Sequence, residues 1–209
     1  MKIRKLAALI VAASLAIATG VSAQGASSKT QLHDTMRRLW VDHVTWTRFF
    51  IVGAAGGLPD TKLTTDRLLR NQDDMGAAIA AYYGSDAGHK LTALLKTHIS
   101  TAGEVVMATK AGDQVKLADA KRRWYANADD IAAFLAALNP KHWPLATMQS
   151  SMKAHLDRTA DEATHRIQGN FAADIADFDQ IVPHILMLAD LMSDGIAAQF
   201  PQKFATNER

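Results

Sequence analysis

The sequence predicts an all-α protein, a six-helix bundle built from three repeated helical hairpins. Three observations carry this. Alanine, leucine, methionine and charged residues dominate, the alternation of β-branched residues that marks strands is missing, and Gly or Pro clusters fall only between long periodic stretches. Those clusters are Gly56-Gly57-Leu58-Pro59-Asp60, Gly84-Ser85-Asp86, Ala111-Gly112-Asp113, Asn139-Pro140 through Pro144, and Gly169-Asn170. They divide the chain into helices of roughly 20 to 30 residues.

The first stretch is not part of that bundle. Lys2, Arg4 and Lys5 precede an apolar run from Leu6 to Thr19 and the small-residue site Val21-Ser22-Ala23, the order of a secretory signal. We therefore expect residues 1–23 to be a signal peptide and 24–209 a single helical domain, exported to the periplasm or the cell exterior. The signal takes three basic and no acidic residues, which leaves 20 basic against 21 acidic side chains. No concentrated basic face remains for a nucleic acid. No later stretch reads as long and uncharged enough to span a bilayer, so no membrane anchor is expected. The absence of cysteine removes disulfides, thiolate chemistry and a lipid-anchored N-terminus.

Helices one, three and five carry one seam at heptad spacing with a histidine at the same place. The seams are Leu32-Met36-Leu39-His43-Trp46-Phe50, Leu91-Leu95-His98-Ala102-Val105 and Met148-Met152-His155-Thr159-Glu162. Alternating steps of four and three place His43, His98 and His155 inside the bundle.

Helices two and four match each other through Asn71-Gln72-Asp73-Asp74-Met75 and Asn127-Ala128-Asp129-Asp130-Ile131. Asn71 and Asn127 lie on the apolar stripe, with Asp74 and Asp130 three residues on and expected on the same face. Helix six is the least faithful copy, with Asp174-Ile175-Ala176 or, by the geometry of the shorter loop, Ala189-Asp190-Leu191 as the equivalent segment. Pro183 removes one of its helical hydrogen bonds beside His184. Counting about 1.5 Å of rise per residue back from each loop puts His43 with Asn71 and Asp74, His98 with Asn127 and Asp130, and His155 with His184 at one height.

Such a layer has two readings. In one, His43, His98, His155 and His184 with Asp74 and Asp130 are metal ligands, and Asn71 and Asn127 help to hold a cofactor or small ligand. Zinc, copper or iron suits this nitrogen and oxygen donor set. In the other, each histidine bonds the polar residue of its neighbouring helix, the layer fixes helix register, and the protein is a structural or sensing module for a protein partner that the sequence leaves unnamed. Glu162-Ala163-Thr164-His165 supplies one Glu-x-x-His, where a di-iron bundle needs two, and reads as a solvent-facing pair. His33, His89 and His142 have no repeat counterparts and read as surface residues.

No Gly-rich phosphate loop, G-x-S-x-G elbow or H-E-x-x-H is present. A binding protein is the leading reading and no catalytic residue is assigned, with a metal-dependent hydrolase or transferase as the third alternative.

Four segments carry a family resemblance: Leu39-Trp40-Val41-Asp42-His43-Val44-Thr45-Trp46-Thr47-Arg48, Asn71-Gln72-Asp73-Asp74, Asn127-Ala128-Asp129-Asp130-Ile131 and Gln199-Phe200-Pro201-Gln202-Lys203-Phe204. Through them the chain resembles a family of small exported bacterial all-helical proteins of unsettled function, some of which bear the name glycosyltransferase. The resemblance runs over nearly all of the expected mature chain. Sugar transfer from a nucleotide donor normally goes with a strand-and-helix fold, so that name is not carried over. Where the family has a Val-His-x-His-like stretch in helix six, this chain has Val182-Pro183-His184.

Overall fold

The computed structural model describes residues 28–204, and the expected signal peptide lies outside them. Six helices follow one another: α1 (Lys29–Gly56), α2 (Thr61–Tyr83), α3 (Ser85–Ala111), α4 (Gln114–Leu138), α5 (Leu145–Ile167) and α6 (Phe171–Gln199). A 3-10 turn, Pro201–Lys203, closes the described chain, and no strand occurs among the described residues.

Local chemistry sets these boundaries. Ser28 starts α1 with a capping box, its hydroxyl accepting from the Gln31 backbone N–H while the Gln31 side chain accepts from the Ser28 N–H. Asp113 and Asn170 cap α4 and α6 through their side-chain oxygens. Gly57 ends α1 in the left-handed conformation (φ 66°), which a residue without Cβ adopts without strain.

Each helix packs on its neighbours in sequence, and α6 returns against α1, so the six close into a ring. Odd-numbered helices also meet one another across the axis, with α1, α3 and α5 forming the inner contacts. This is the arrangement the heptad seams call for, because only the odd helices carry the histidine seam. Helices α2 and α3 approach closely at Gly76. A Cβ there would stand 1.9 Å from Thr92 Oγ1 and 2.7 Å from the Gly88 carbonyl oxygen, so the position has no room for a side chain.

Two expectations about the stripes need correction. On α1 the seam holds through His43 and then shifts by one residue, with Thr47, Ile51 and Ala54 buried in place of Trp46 and Phe50. A straight helix turns every 3.6 residues and drifts off a strict seven-residue repeat, and α1 follows the helix. The second concerns α6. By length and composition it is apolar enough to cross a membrane, contrary to the sequence reading, yet 50% of its most apolar window is buried within the bundle. The helix runs unbroken through Pro183.

Candidate functional site: a buried imidazole layer

The inner helices bring the seam histidines together. The His155 ring lies 5.7 Å from that of His43, 6.4 Å from that of His98 and 6.5 Å from that of His184, centroid to centroid. All four side chains are buried. Burial in this apolar setting disfavours the imidazolium, driving His43 down to about 3 and His98 to about 4, with His155 well below its usual range and His184 lowered. At neutral pH the layer is therefore a set of uncharged rings.

A hydrogen-bond scheme recurs around it. Asn71 Nδ2 donates to the Leu39 carbonyl, Asn127 Nδ2 to the Leu94 carbonyl, and His184 Nε2 to the Ser151 carbonyl, at 3.0, 3.2 and 3.0 Å. Each acceptor is the residue four before a seam histidine. A threonine one turn after each histidine, Thr47, Thr101 or Thr159, donates to that histidine's own carbonyl. His184 thus holds in α6 the place that Asn71 and Asn127 hold in α2 and α4, and neither Asp174-Ile175-Ala176 nor Ala189-Asp190-Leu191 does so.

Asp74 and Asp130 are corrected outright, because both side chains are exposed and stand outside the layer. The buried face of α2 runs through Leu68, Asn71, Gln72, Met75 and Ile79, and that of α4 through Trp124, Asn127, Ala128, Ile131 and Leu135. Asn71 and Asn127 sit at the edge of these faces. At about 100° per residue, a step of three from an edge turns the side chain outward. Gln72, which sequence reasoning passed over, occupies the interior instead.

The three hairpins differ in how far the histidine is satisfied. His98 is closed: Trp124 Nε1 donates to its Nε2 at 3.2 Å, and its Nδ1–H donates to Asn127 Oδ1 at 3.0 Å. On the His43 side the bonding is incomplete. Gln72 Nε2 donates to the Leu68 carbonyl at 2.8 Å and to Asn71 Oδ1 at 3.1 Å, and stands 3.4 Å from His43 Nδ1. Three buried polar atoms here have no hydrogen-bond partner: Trp40 Nε1, Gln72 Oε1 and His155 Nδ1. Their residues all border His43, since the Trp40 ring meets its edge at 6.0 Å and the His155 ring lies 5.7 Å away. Among the described residues, no three His, Cys, Asp or Glu side chains are grouped to hold a metal ion.

A second buried polar group lies toward the end of the bundle where α5 turns into α6. Arg48 Nη1 donates to Glu162 Oε1 at 2.6 Å and to Asp174 Oδ1 at 2.8 Å, and Arg166 reaches Asp174 Oδ2 at 3.3 Å. Glu162 is 1% exposed and Asp174 0%. Burial raises Glu162 to about 7 against the opposing pull of Arg48. Glu162 is therefore not the solvent-facing half of a Glu-x-x-His pair, and His165 Nδ1 bonds Asp177 Oδ2 at 2.6 Å instead. The available signal was Glu162 standing in a seam where α1 and α3 place Phe50 and Val105. Of the remaining histidines, His89 is exposed and His142 half-buried, while His33 is tied to Asp190 at 2.9 Å.

Compared with family models, with curated proteins and with solved structures, the chain matches none.

Proposed function

We propose that this is an exported helical binding protein that takes a small guest, a metal ion or a small polar molecule, at the imidazole layer beside His43 and His155. One observation supports the reading: Trp40, Gln72 and His155, the residues around the His43 ring, each carry a buried polar atom without a hydrogen-bond partner, Nε1, Oε1 and Nδ1 respectively. A buried donor or acceptor left without a partner costs about 1–3 kcal/mol, and such a cost in the residues around one ring is what a guest would offset. Asn71, Asn127 and His184 hold the surrounding helices in register through backbone carbonyls and are the supporting groups of the site. The shared i−4 acceptor supports three copies of one hairpin unit, with the second copy closed and the first and third sharing the guest.

A second reading, a structural or sensing module with the layer as its register device, is favoured by the complete satisfaction of His98. Equilibrium dialysis and elemental analysis of untagged protein, with His155→Ala and His98→Ala beside the wild type, separate the two. The binding reading expects a bound guest that is lost in His155→Ala. Protein that carries nothing, with both variants merely melting earlier, supports the structural reading.

A further inference from the structure

The exposed apolar side chains are unevenly placed. The loops at 57–60, 112–113 and 168–170 join antiparallel neighbours, so all three lie at one end of the ring, with the last turns of α1, α3 and α5 and the first turns of α2, α4 and α6. Among the described residues, every exposed large hydrophobic except Leu145 and Met187 stands within about two turns of that end. The opposite end has as many helix termini and holds Leu145 alone.

Every hairpin supplies a pair. Leu58 and Leu63 come from the first, Met107 and Val115 from the second, and Phe171 and Ile175 from the third, with exposures from 46% to 82%. Helical side chains lean toward the N-terminus of their own helix, which directs Leu63, Val115 and Phe171, in the first turns of α2, α4 and α6, outward past the loops. Met107 and Val115 also share the wall of an open groove of about 480 Å³ between α3 and α4. At roughly 100 Å² for a half-exposed side chain of this size, the three pairs present about 600 Å². A standard interface takes about 800 Å² from each partner, and the loop backbone among the pairs supplies the remainder.

The charges around the pairs are answered within the chain. Lys62 is held by Asp66 at 2.6 Å, Lys116 by Asp113 at 3.0 Å and Arg166 by Asp174 at 3.3 Å, while Lys110 donates to the Ala54 carbonyl at 2.7 Å. Asp60, exposed in the first loop, adds an acid. Paired charges of both signs give an anionic lipid surface or a nucleic acid little to hold, and they set no like-charge barrier against a second copy.

We infer that this end is a self-association surface, on which two copies meet end to end with the three apolar pairs of one against those of the other. The hairpins follow one another round the ring, so a two-fold axis lying across the end brings three pairs onto three. The seam histidines lie roughly 20 Å further along their helices, and the inference is independent of the binding reading.

The test measures the mass of the chain from Gln24 onward by sedimentation equilibrium over a wide range of concentration. The expected result is a reversible shift from one chain to two. Leu63→Asp and Val115→Asp, each made alone, alter different hairpins at positions 69% and 82% exposed, so the fold is retained, and helical circular dichroism checks it. Each should stay monomeric where the wild type is a dimer. Met187→Asp, at a comparably exposed position midway along α6, should dimerise as the wild type does.

A wild type that is monomeric throughout leaves this end to some other partner and overturns the inference. So does a dimer untouched by Leu63→Asp and Val115→Asp, or one broken by Met187→Asp. The same proteins are spun with vesicles of phosphatidylethanolamine and phosphatidylglycerol. Monomeric wild type that sediments with them, while Leu63→Asp and Val115→Asp do not, would assign the end to a lipid surface, and the inference would fall.

Discussion

The imidazole layer and the Arg48–Glu162–Asp174 cluster are both buried and polar, and they solve the cost of burial in opposite ways. The layer stays neutral: burial pushes His43 down to about 3 and His98 to about 4 and lowers His155 and His184, and the polar groups of the adjacent helices are amides, hydroxyls and indoles. In the cluster a charge is buried and paired, one guanidinium bridging a glutamate from α5, which burial raises to about 7, and an aspartate from α6. The difference teaches where each region is vulnerable. A neutral layer loses one hydrogen bond at a time, whereas removal of one member of a charged cluster leaves the others uncompensated in a dry place.

The largest effect is therefore expected from Arg48→Ala, which strands Glu162 and leaves Asp174 only its 3.3 Å contact with Arg166. We expect a loss of about 3–5 kcal/mol in urea unfolding at neutral pH, with a smaller loss when Glu162→Gln is combined with it.

Glu162 alone sharpens the contrast through pH. Its folded-state value, about 7, is raised above the unfolded value of 4.5, so its contribution to stability is complete below about pH 4.5 and is lost as pH rises through 7. Glu162→Gln should remove this fall, worth on the order of 3 kcal/mol at full development, and urea midpoints taken from pH 4.5 to 8.5 check it.

The histidines run the other way. Their folded-state values lie below 6.5, the unfolded chain takes up protons first, and stability drains as pH falls from 6.5 toward 4 and below. His98→Gln replaces a titrating ring by an amide and should flatten this acid limb, at the expense of about 1–3 kcal/mol at pH 7 from its bonds to Asn127 and Trp124. An unchanged acid limb in His98→Gln would remove His98 from the neutral layer.

The smallest effect belongs to Asp74→Asn and Asp130→Asn, which lie on exposed faces of α2 and α4. Both should stay within about 0.5 kcal/mol of wild type and leave any bound guest in place.

The two regions also differed in how far the sequence disclosed them. Three histidines in one register of three apolar seams announced the layer, since a polar residue in a heptad stripe has nowhere to go but inward. The cluster was hidden because its partners are far apart in the chain: Arg48 meets Glu162 across 114 residues and Asp174 across 126. No local spacing encodes such a meeting, and only the closing of α6 onto α1 creates it. Asp74 and Asp130 fall outside for an angular reason: Asn71 and Asn127 lie on the stripe but at its edge, and its centre lies toward Gln72 and Ala128. Satisfaction of individual atoms was illegible as well, for nothing in the spacing distinguishes the closed His98 from the open His155.

The neutrality and orientation of the rings underlie the account of the layer, and long-range 15N–1H correlation of the histidine side chains at pH 6.5 reads both at once. We predict four uncharged imidazoles, with the proton on Nδ1 in His98 and on Nε2 in His184. An imidazolium among the four, or the proton on Nε2 of His98, would contradict the account.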